Sequence, residues 1–253
     1  MWAQYFPGRA IMRIDNDIAI IVPMANEEPE FALFTEELKS ALDRLGTGRV
    51  YFIVDDVSED RTLPLCNELS KDDPRFVTLY APENRNVVDA YLRGYREAFE
   101  NGHAIIIEMD AGMSHDPKAI PLFLRVLNEG NECAFGCRFV SGGSMQNSNF
   151  NRYFLSRFGT ILANALLGTR MRDMTSGFEG FHRHIVKEIL AHRFHSTAHF
   201  FQTELRYLLR NKKFAEVPIR YATPSPRVSR GAVRNAIGVL LYYFFRRMTL
   251  RAP

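Results

Sequence analysis

Cysteine is scarce: Cys66, Cys133 and Cys137 are the only three in 253 residues. Cys133 and Cys137 stand four apart, but no second cysteine or histidine pair follows at zinc spacing, which excludes a structural zinc module. So few thiols also exclude a disulfide framework and suit a reducing compartment. His115, His182, His184, His192, His195 and His199 match no familiar metal array, and His-Glu-x-x-His does not occur. Of these only His115, three residues from Gly112, remains a site candidate. Net charge is only +3, so no global field marks nucleic acid as a partner. The first residues, Met1 to Asp17, have no apolar core of the kind a signal peptide carries, and the expected location is cytoplasmic. No stretch is long and apolar enough to span a bilayer. Ile237 to Phe245 is uncharged, but it is about half of the ~20 residues a span requires. Repeats and low-complexity segments are absent.

What is present is a rhythm of strands and helices. Ile18-Ala-Ile-Ile-Val22 is a short continuous apolar run of the kind buried on both faces of a parallel sheet. Helical spacing follows over 30–45, closed by Gly46. The pattern continues with a strand at 50–54, a helix at 61–69, a strand at 76–80, a helix at 87–100 and a strand at 104–107. Such alternation predicts a doubly wound α/β sheet. Beyond it come a strand at 133–137, a helix at 152–167, the stretch 172–181, and a helix reaching His192. A helix over 200–211, a strand over 214–221 and a last helix over 233–249 complete the reading. The domain expectation is an N-terminal extension over 1–17, a main α/β domain over 18–231 and a basic amphipathic helix over 232–253.

Ligands of such sheets bind beyond the carboxyl ends of the strands. Asp55, Asp56 and Asp110 fall there, where carboxylates can take hydrogen bonds from a base or ribose or hold a divalent cation against a diphosphate. Each could equally cap the next helix. A basic set, Arg138, Arg152, Arg157, Arg227 and Arg230, suits phosphate oxygens, since guanidinium forks match them in pairs. Asp173-Met-Thr-Ser-Gly-Phe178 reads either as a tight turn that approaches a ligand or as a helix entry capped by Thr175 or Ser176. From Arg206 to Arg251 basic residues outnumber a single acid, Glu216, and such a tail beside apolar residues suits an anionic surface.

Taken together the motifs resemble the family-two glycosyltransferases, and within them the dolichol-phosphate mannosyltransferase group. Val22-Pro-Met-Ala-Asn-Glu27 is similar to that family's first strand and loop, and Val54-Asp-Asp-Val-Ser58 to its Val-Asp-Asp-Gly-Ser. Met109-Asp-Ala-Gly-Met-Ser-His-Asp-Pro117 resembles its Met-Asp-Ala-Asp-x-Ser-His-x-Pro. Gly136-Cys-Arg-Phe-Val-Ser-Gly-Gly143, Asp173-x-Thr-Ser-Gly-Phe178, Phe201-Gln-x-Glu204 and Glu216-Val-Pro-Ile219 follow in family order, so the likeness covers about residues 18 to 230. It implies a GT-A fold, a Rossmann-like, mostly parallel sheet flanked by helices, and transfer of one sugar from a UDP- or GDP-linked donor to a polyprenyl phosphate with inversion. Pro23, Ala25, Glu27, Asp55, Asp56 and Asp110 would hold the nucleotide, and Asp110 a Mg2+ or Mn2+ ion. Arg138 and Arg152 would be catalytic with Asp110 and, with Arg227 and Arg230, would bind the acceptor phosphate. Asp173, Thr175, Ser176, Gly177, Gln202 and Glu204 would shape the sugar pocket. The last helix would lie on the inner face of the membrane, and a homo-oligomer is compatible with the pattern.

Three departures stand out. Gly112 replaces the second aspartate of the family's Asp-x-Asp, which leaves three options: a different ligand, with Glu108 or Asp116 nearby, a loosely held ion, or none. Arg85-Asn-Val-Val88 replaces loop glycines, and Pro224 replaces an arginine for which Arg227 could compensate. Two alternatives stay open: a GT-A transferase acting on a saccharide or protein hydroxyl, and a degenerate domain that binds nucleotide sugar without turnover.

Overall fold

The computed structural model describes residues 17–145, 150–222 and 229–249, and of 150–152 the backbone. The first strand sets the architecture. In β1 (Ile18–Met24), Ile18, Ile20, Val22 and Met24 enter one apolar cluster while Ala19 and Ile21 enter a second on the opposite face. A strand apolar on both faces requires helices on both sides. Helices α1 (Phe31–Leu45), α2 (Thr62–Asp72) and α4 (Ile120–Asn128) cover the first face. On the second lie α3 (Val87–Glu100), α5 (Phe150–Leu167), α6 (Arg183–Ala191), α7 (Phe201–Leu208) and α8 (Arg230–Met248).

The other strands are β2 (Arg49–Val54), β3 (Phe76–Tyr80), β4 (Ile105–Glu108), β5 (Cys133–Cys137), β6 (Ser144–Met145), β7 (Glu179–His182), β8 (Phe214–Pro218) and β9 (Arg220–Tyr221). The main sheet runs β3-β2-β1-β4-β7-β5-β8, and all its neighbours are parallel except those of β7. Strand order reverses between β1 and β4, so a crevice opens beyond their carboxyl ends. Helices and sheet approach closely here: a Cβ on Gly94 of α3 would lie 2.3 Å from Ile21 Cγ2, so only glycine fits.

Helix ends follow local chemistry. Gly46 takes the left-handed conformation (φ 70°) and donates to Leu42 O, closing α1. Asn86 Oδ1 accepts from Val88 N and Asp89 N, opening α3.

Helix α4, the short strand β6 and strand β7 lie outside the expected pattern. Helix α4 follows a 3-10 turn over Pro117–Ala119, with Asp116 as its cap and Pro121 in its own first turn, where proline costs no hydrogen bond. Strand β7 is only four residues long and has no branched apolar run; its place between β4 and β5 rests on pairing alone. The strand expected over 214–221 is divided, because the chain leaves β5 at Pro218 and pairs next with β6. The three cysteines are free and buried, and burial pushes Cys66 up to about 12 and Cys137 to about 11.

Candidate active site

The crevice is laced by two loops. After β1, Asn26 adopts φ 57°, a left-handed conformation that asparagine tolerates. Its Nδ2 donates to Val57 O and its Oδ1 accepts from Glu59 N. Glu27 N donates to Thr62 Oγ1 at 2.8 Å, and Glu28 N to Asp60 Oδ2 at 3.0 Å. These bonds hold Pro23, Ala25 and Glu27 against Asp55 and Asp56 at the ends of β1 and β2. Asp56 is exposed and accepts from Tyr80 OH.

Asp110 stands across the crevice, two residues past β4. Its Oδ1 accepts from Tyr91 OH at 2.6 Å, and its backbone N–H donates to His115 Nδ1 at 3.0 Å. His115 is buried, and burial lowers its pKa against the pull of Asp110, so the ring is neutral and serves as an acceptor. Burial, followed by the Asp110 carboxylate, keeps Tyr91 protonated. The aspartate is thus aimed by two side chains while 39% of its own side chain stays exposed.

A cavity of about 330 Å³ opens beside Asp110. Its lining combines the polar side chains of Asp110, His115, Arg138, Thr175, Ser176 and Gln202 with apolar ones, among them Leu155 and Leu162 of α5 and Val233, Ile237 and Leu240 of α8. Gly177 permits this approach, since a Cβ there would sit 3.1 Å from Gln202 Nε2 and 3.4 Å from Asp110 Oδ1. Ser176 Oγ and Gln202 Oε1 are buried without a protein partner among the described residues. Buried polar atoms left unpaired cost about 1–3 kcal/mol each, so both are poised for a ligand's hydroxyl groups.

Beneath this polar lining lies an ionic network. Arg138 is buried and forks onto Asp173, with Nε–Oδ2 and Nη2–Oδ1 both 2.8 Å, and reaches Thr175 Oγ1 at 2.6 Å. Arg206, fully buried, meets Glu179 Oε1 at 2.7 Å and the carbonyls of Asp173, Gly136 and Ser176. Burial alone would raise Asp173, but Arg138 and then Arg206 outweigh it and hold the carboxyl at about 2. Glu108 and Glu179 are cross-strand neighbours, both with no exposure. Burial pushes both carboxyls up, and each retains one unpartnered oxygen, so the pair keeps a proton. Two guanidiniums then balance two negative charges.

The expected site residues divide accordingly. Pro23, Ala25, Glu27, Asp55, Asp56 and Asp110 gather at the crevice; Arg138, Thr175, Ser176, Gly177 and Gln202 line the cavity beside it. Asp173 holds Arg138 from below. Glu204 does not line the cavity: its oxygens accept from His195 N, Ser196 N and Tyr243 OH, tying α7 to α8. Arg230 is exposed at the start of α8. The side chain of Arg152 and all of Pro224 and Arg227 lie outside the described residues. The two substitutes for the Gly112 ligand are placed differently. Glu108 is buried against Tyr95, and Asp116 caps the 3-10 turn through Lys118 N. Tyr91 escaped the sequence reading because its position on α3 looks like an ordinary core tyrosine, stacked on Phe201.

Residues 19–190 match the family model described as glycosyl transferase family 2. The chain belongs to this family. Polyprenol monophosphomannose synthase of Mycolicibacterium smegmatis is 29% identical over 229 residues, covering 89% of this chain and 85% of that protein. Undecaprenyl-phosphate mannosyltransferase of Micrococcus luteus is 26% identical over 225 residues, covering 87% and 90%. Dolichol-phosphate mannosyltransferase of Pyrococcus furiosus is 32% identical over 166 residues, which is 65% of this chain and 45% of that one. Among solved structures, glucosyl-3-phosphoglycerate synthase of Mycobacterium tuberculosis with Mn2+, UDP and phosphoglyceric acid superposes with a TM-score of 0.68 at 16% identity, covering 94% of this chain and 84% of its own. That likeness establishes the GT-A fold for this family-two chain.

Whether a cation suits the site is answered by its donors. Among the described residues no group of three or more His, Cys, Asp or Glu side chains could hold a metal ion by itself. Mg2+-like ions are usually bound by one or two carboxylates together with substrate phosphates, without an all-protein cage. Asp110 supplies such a hard oxygen. Burial, then the carboxylates of Glu30, Asp110 and Asp60, push Glu27 up to about 7. Among the described residues no cationic side chain pairs with this acidic rim, whereas Arg138 and Arg206 offset the network beneath, so the donors would suit a divalent ion shared with a diphosphate.

Proposed function

We propose that this chain transfers one sugar, by inversion, from a nucleoside-diphosphate sugar to a polyprenyl phosphate. The observation that carries the reading is the mixed lining of one cavity: Asp110, His115, Arg138, Thr175, Ser176 and Gln202 together with apolar side chains of α5 and α8. A phosphate on a long apolar chain needs both kinds of lining. The names of the mannosyltransferase relatives point to the same class of acceptor.

In this reading the nucleotide lies along Pro23, Ala25, Glu27, Asp55 and Asp56, and the diphosphate approaches Asp110. A divalent cation held there would neutralise the leaving diphosphate, as the Mn2+ and UDP in the M. tuberculosis enzyme suggest. Tyr91 and His115 keep Asp110 oriented. The Ser176 hydroxyl and Gln202 amide meet sugar hydroxyls. Arg138, with Arg152, Arg227 and Arg230 as further candidates, orients the acceptor phosphate, which is already anionic at neutral pH and needs no strong base.

Membrane contact belongs to the same proposal. No described helix is long and apolar enough to cross a bilayer. Phe154, Leu155, Phe158 and Ile161 of α5 are exposed beside Ile237, Leu241, Phe245 and Met248 of α8. Arg246 and Arg247 lie in the last turn of α8, as in helices that rest on anionic lipid surfaces.

The test incubates purified chain with undecaprenyl or dolichyl phosphate and radiolabelled UDP- and GDP-sugars. An acid-labile labelled lipid is expected. Label found only on a soluble hydroxyl acceptor selects the saccharide or protein reading. Nucleotide binding without consumption of any donor, with Mg2+, Mn2+ or EDTA, selects a binding domain.

A further inference from the structure

Gly112 lies where the family resemblance calls for a second metal-ligating aspartate, and the space around it is filled by carboxylates from another loop. A Cβ built on Gly112 would stand 2.8 Å from Glu30 Oε2 and 3.0 Å from Glu27 Oε2. An aspartate there would collide with both acids, and its backbone, at φ 65°, would be strained for most side chains. Glu30 Oε2 also accepts from Met113 N at 3.1 Å, so its carboxylate is pinned to the Asp110–Met113 turn although it originates 83 residues earlier in the chain.

We infer that Glu30 supplies the second carboxylate of the cation site, delivered from the loop after β1 into the place left by Gly112. This rests on the transferase reading above. Glycine and glutamate form a matched pair: the missing side chain makes room for the incoming carboxylate, and the left-handed turn directs Met113 N–H to hold it. Glu108 is fully buried against Tyr95 and Asp116 caps a turn through one oxygen, whereas Glu30 lies against Gly112 itself. Through Met113 N, Glu30 is held against the turn that begins at Asp110, and a diphosphate bound beyond the carboxyl ends of β1 and β4 would supply further oxygen donors. Glu27 Oε2 and Glu30 Oε2 both crowd the space over Gly112, and a bound dication would relieve the repulsion between them.

The test measures Mn2+ binding rather than turnover, by the loss of the free-ion EPR signal on titrating the full chain with Mn2+ at fixed pH and saturating UDP or, separately, GDP. Glu30→Gln keeps the hydrogen-bond acceptor for Met113 N and removes only the charge. We expect it to weaken Mn2+ binding at least ~10-fold, as loss of a metal-site contact does, without lowering the melting temperature in metal-free buffer. A purely structural Glu30 would give the reverse. Asp110→Asn is the control for the reading itself.

Unchanged Mn2+ affinity in Glu30→Gln, with affinity lost in Asp110→Asn, overturns the role of Glu30 and leaves the transferase reading intact. Unchanged affinity in both variants removes the cation from this crevice altogether. Failure of the wild-type chain to bind UDP or GDP under any condition defeats the transferase reading, whatever Glu30 does.

Discussion

Two sets of charged side chains lie within one cavity's reach and are arranged in opposite ways. At the rim, Glu27 and Glu30 crowd Gly112, two residues from Asp110, with no cationic side chain among the described residues paired to them, and Glu27 is pushed up to about 7. Underneath, Arg138 and Arg206 neutralise Asp173 and the Glu108–Glu179 pair at hydrogen-bond distances, out of water. The difference separates support from an open site, and Arg138, which also lines the cavity, belongs to both. Charge balanced inside the protein shapes the cavity floor, whereas charge left unbalanced at an open crevice awaits something from outside.

The largest expected effect is on the floor. Arg206→Met removes the partner of Glu179 and the donors to the carbonyls of Asp173, Gly136 and Ser176. Breaking one side of a buried pair costs about 3–5 kcal/mol, readable from the urea midpoint of unfolding. A loss under about 1 kcal/mol would show that the network is not the support described.

Acid should act on the same network. Asp173 has a folded-state pKa of about 2 against 3.8 for the free residue. Its contribution, about 2 kcal/mol by linkage, is therefore present above the unfolded value and lost as pH falls through the folded one. Between pH 4 and pH 2 the wild type should lose stability more steeply than Asp173→Asn, which has no such proton to gain. Parallel slopes would contradict the pairing with Arg138.

The smallest change in free energy belongs to the rim, where it appears in rate. Asp110→Asn is expected to slow transfer by more than ~10-fold, about 1.4 kcal/mol, while urea stability stays within ~0.5 kcal/mol. A variant that unfolds easily, or one that keeps full activity, would erase the contrast between rim and floor.

The two regions also differ in how far they could be read from sequence. Asp55, Asp56 and Asp110 were visible because each follows an apolar strand, and a parallel sheet brings all such ends to one edge. Arg138 and Asp173 could be singled out by motif, but their fork joins residues 35 positions apart and has no local signature. Glu204 shows the limit of motif reading: it falls in the expected stretch, yet it faces the loop at His195 and Tyr243 of α8. Strand β7 was equally silent, since four residues with a glycine among them have little preference of their own.

Hydrophobic periodicity determined the α/β class, the parallel strands at the start of the chain and the acidic residues at their ends, because those depend on spacing along the backbone. The tertiary structure alone decided that β7 would run antiparallel beside β4, that Glu108 and Glu179 would share a buried position, and that Glu30 would meet Gly112. Such meetings depend on distances through space between segments tens of residues apart, and neighbouring residues along a chain carry no record of them.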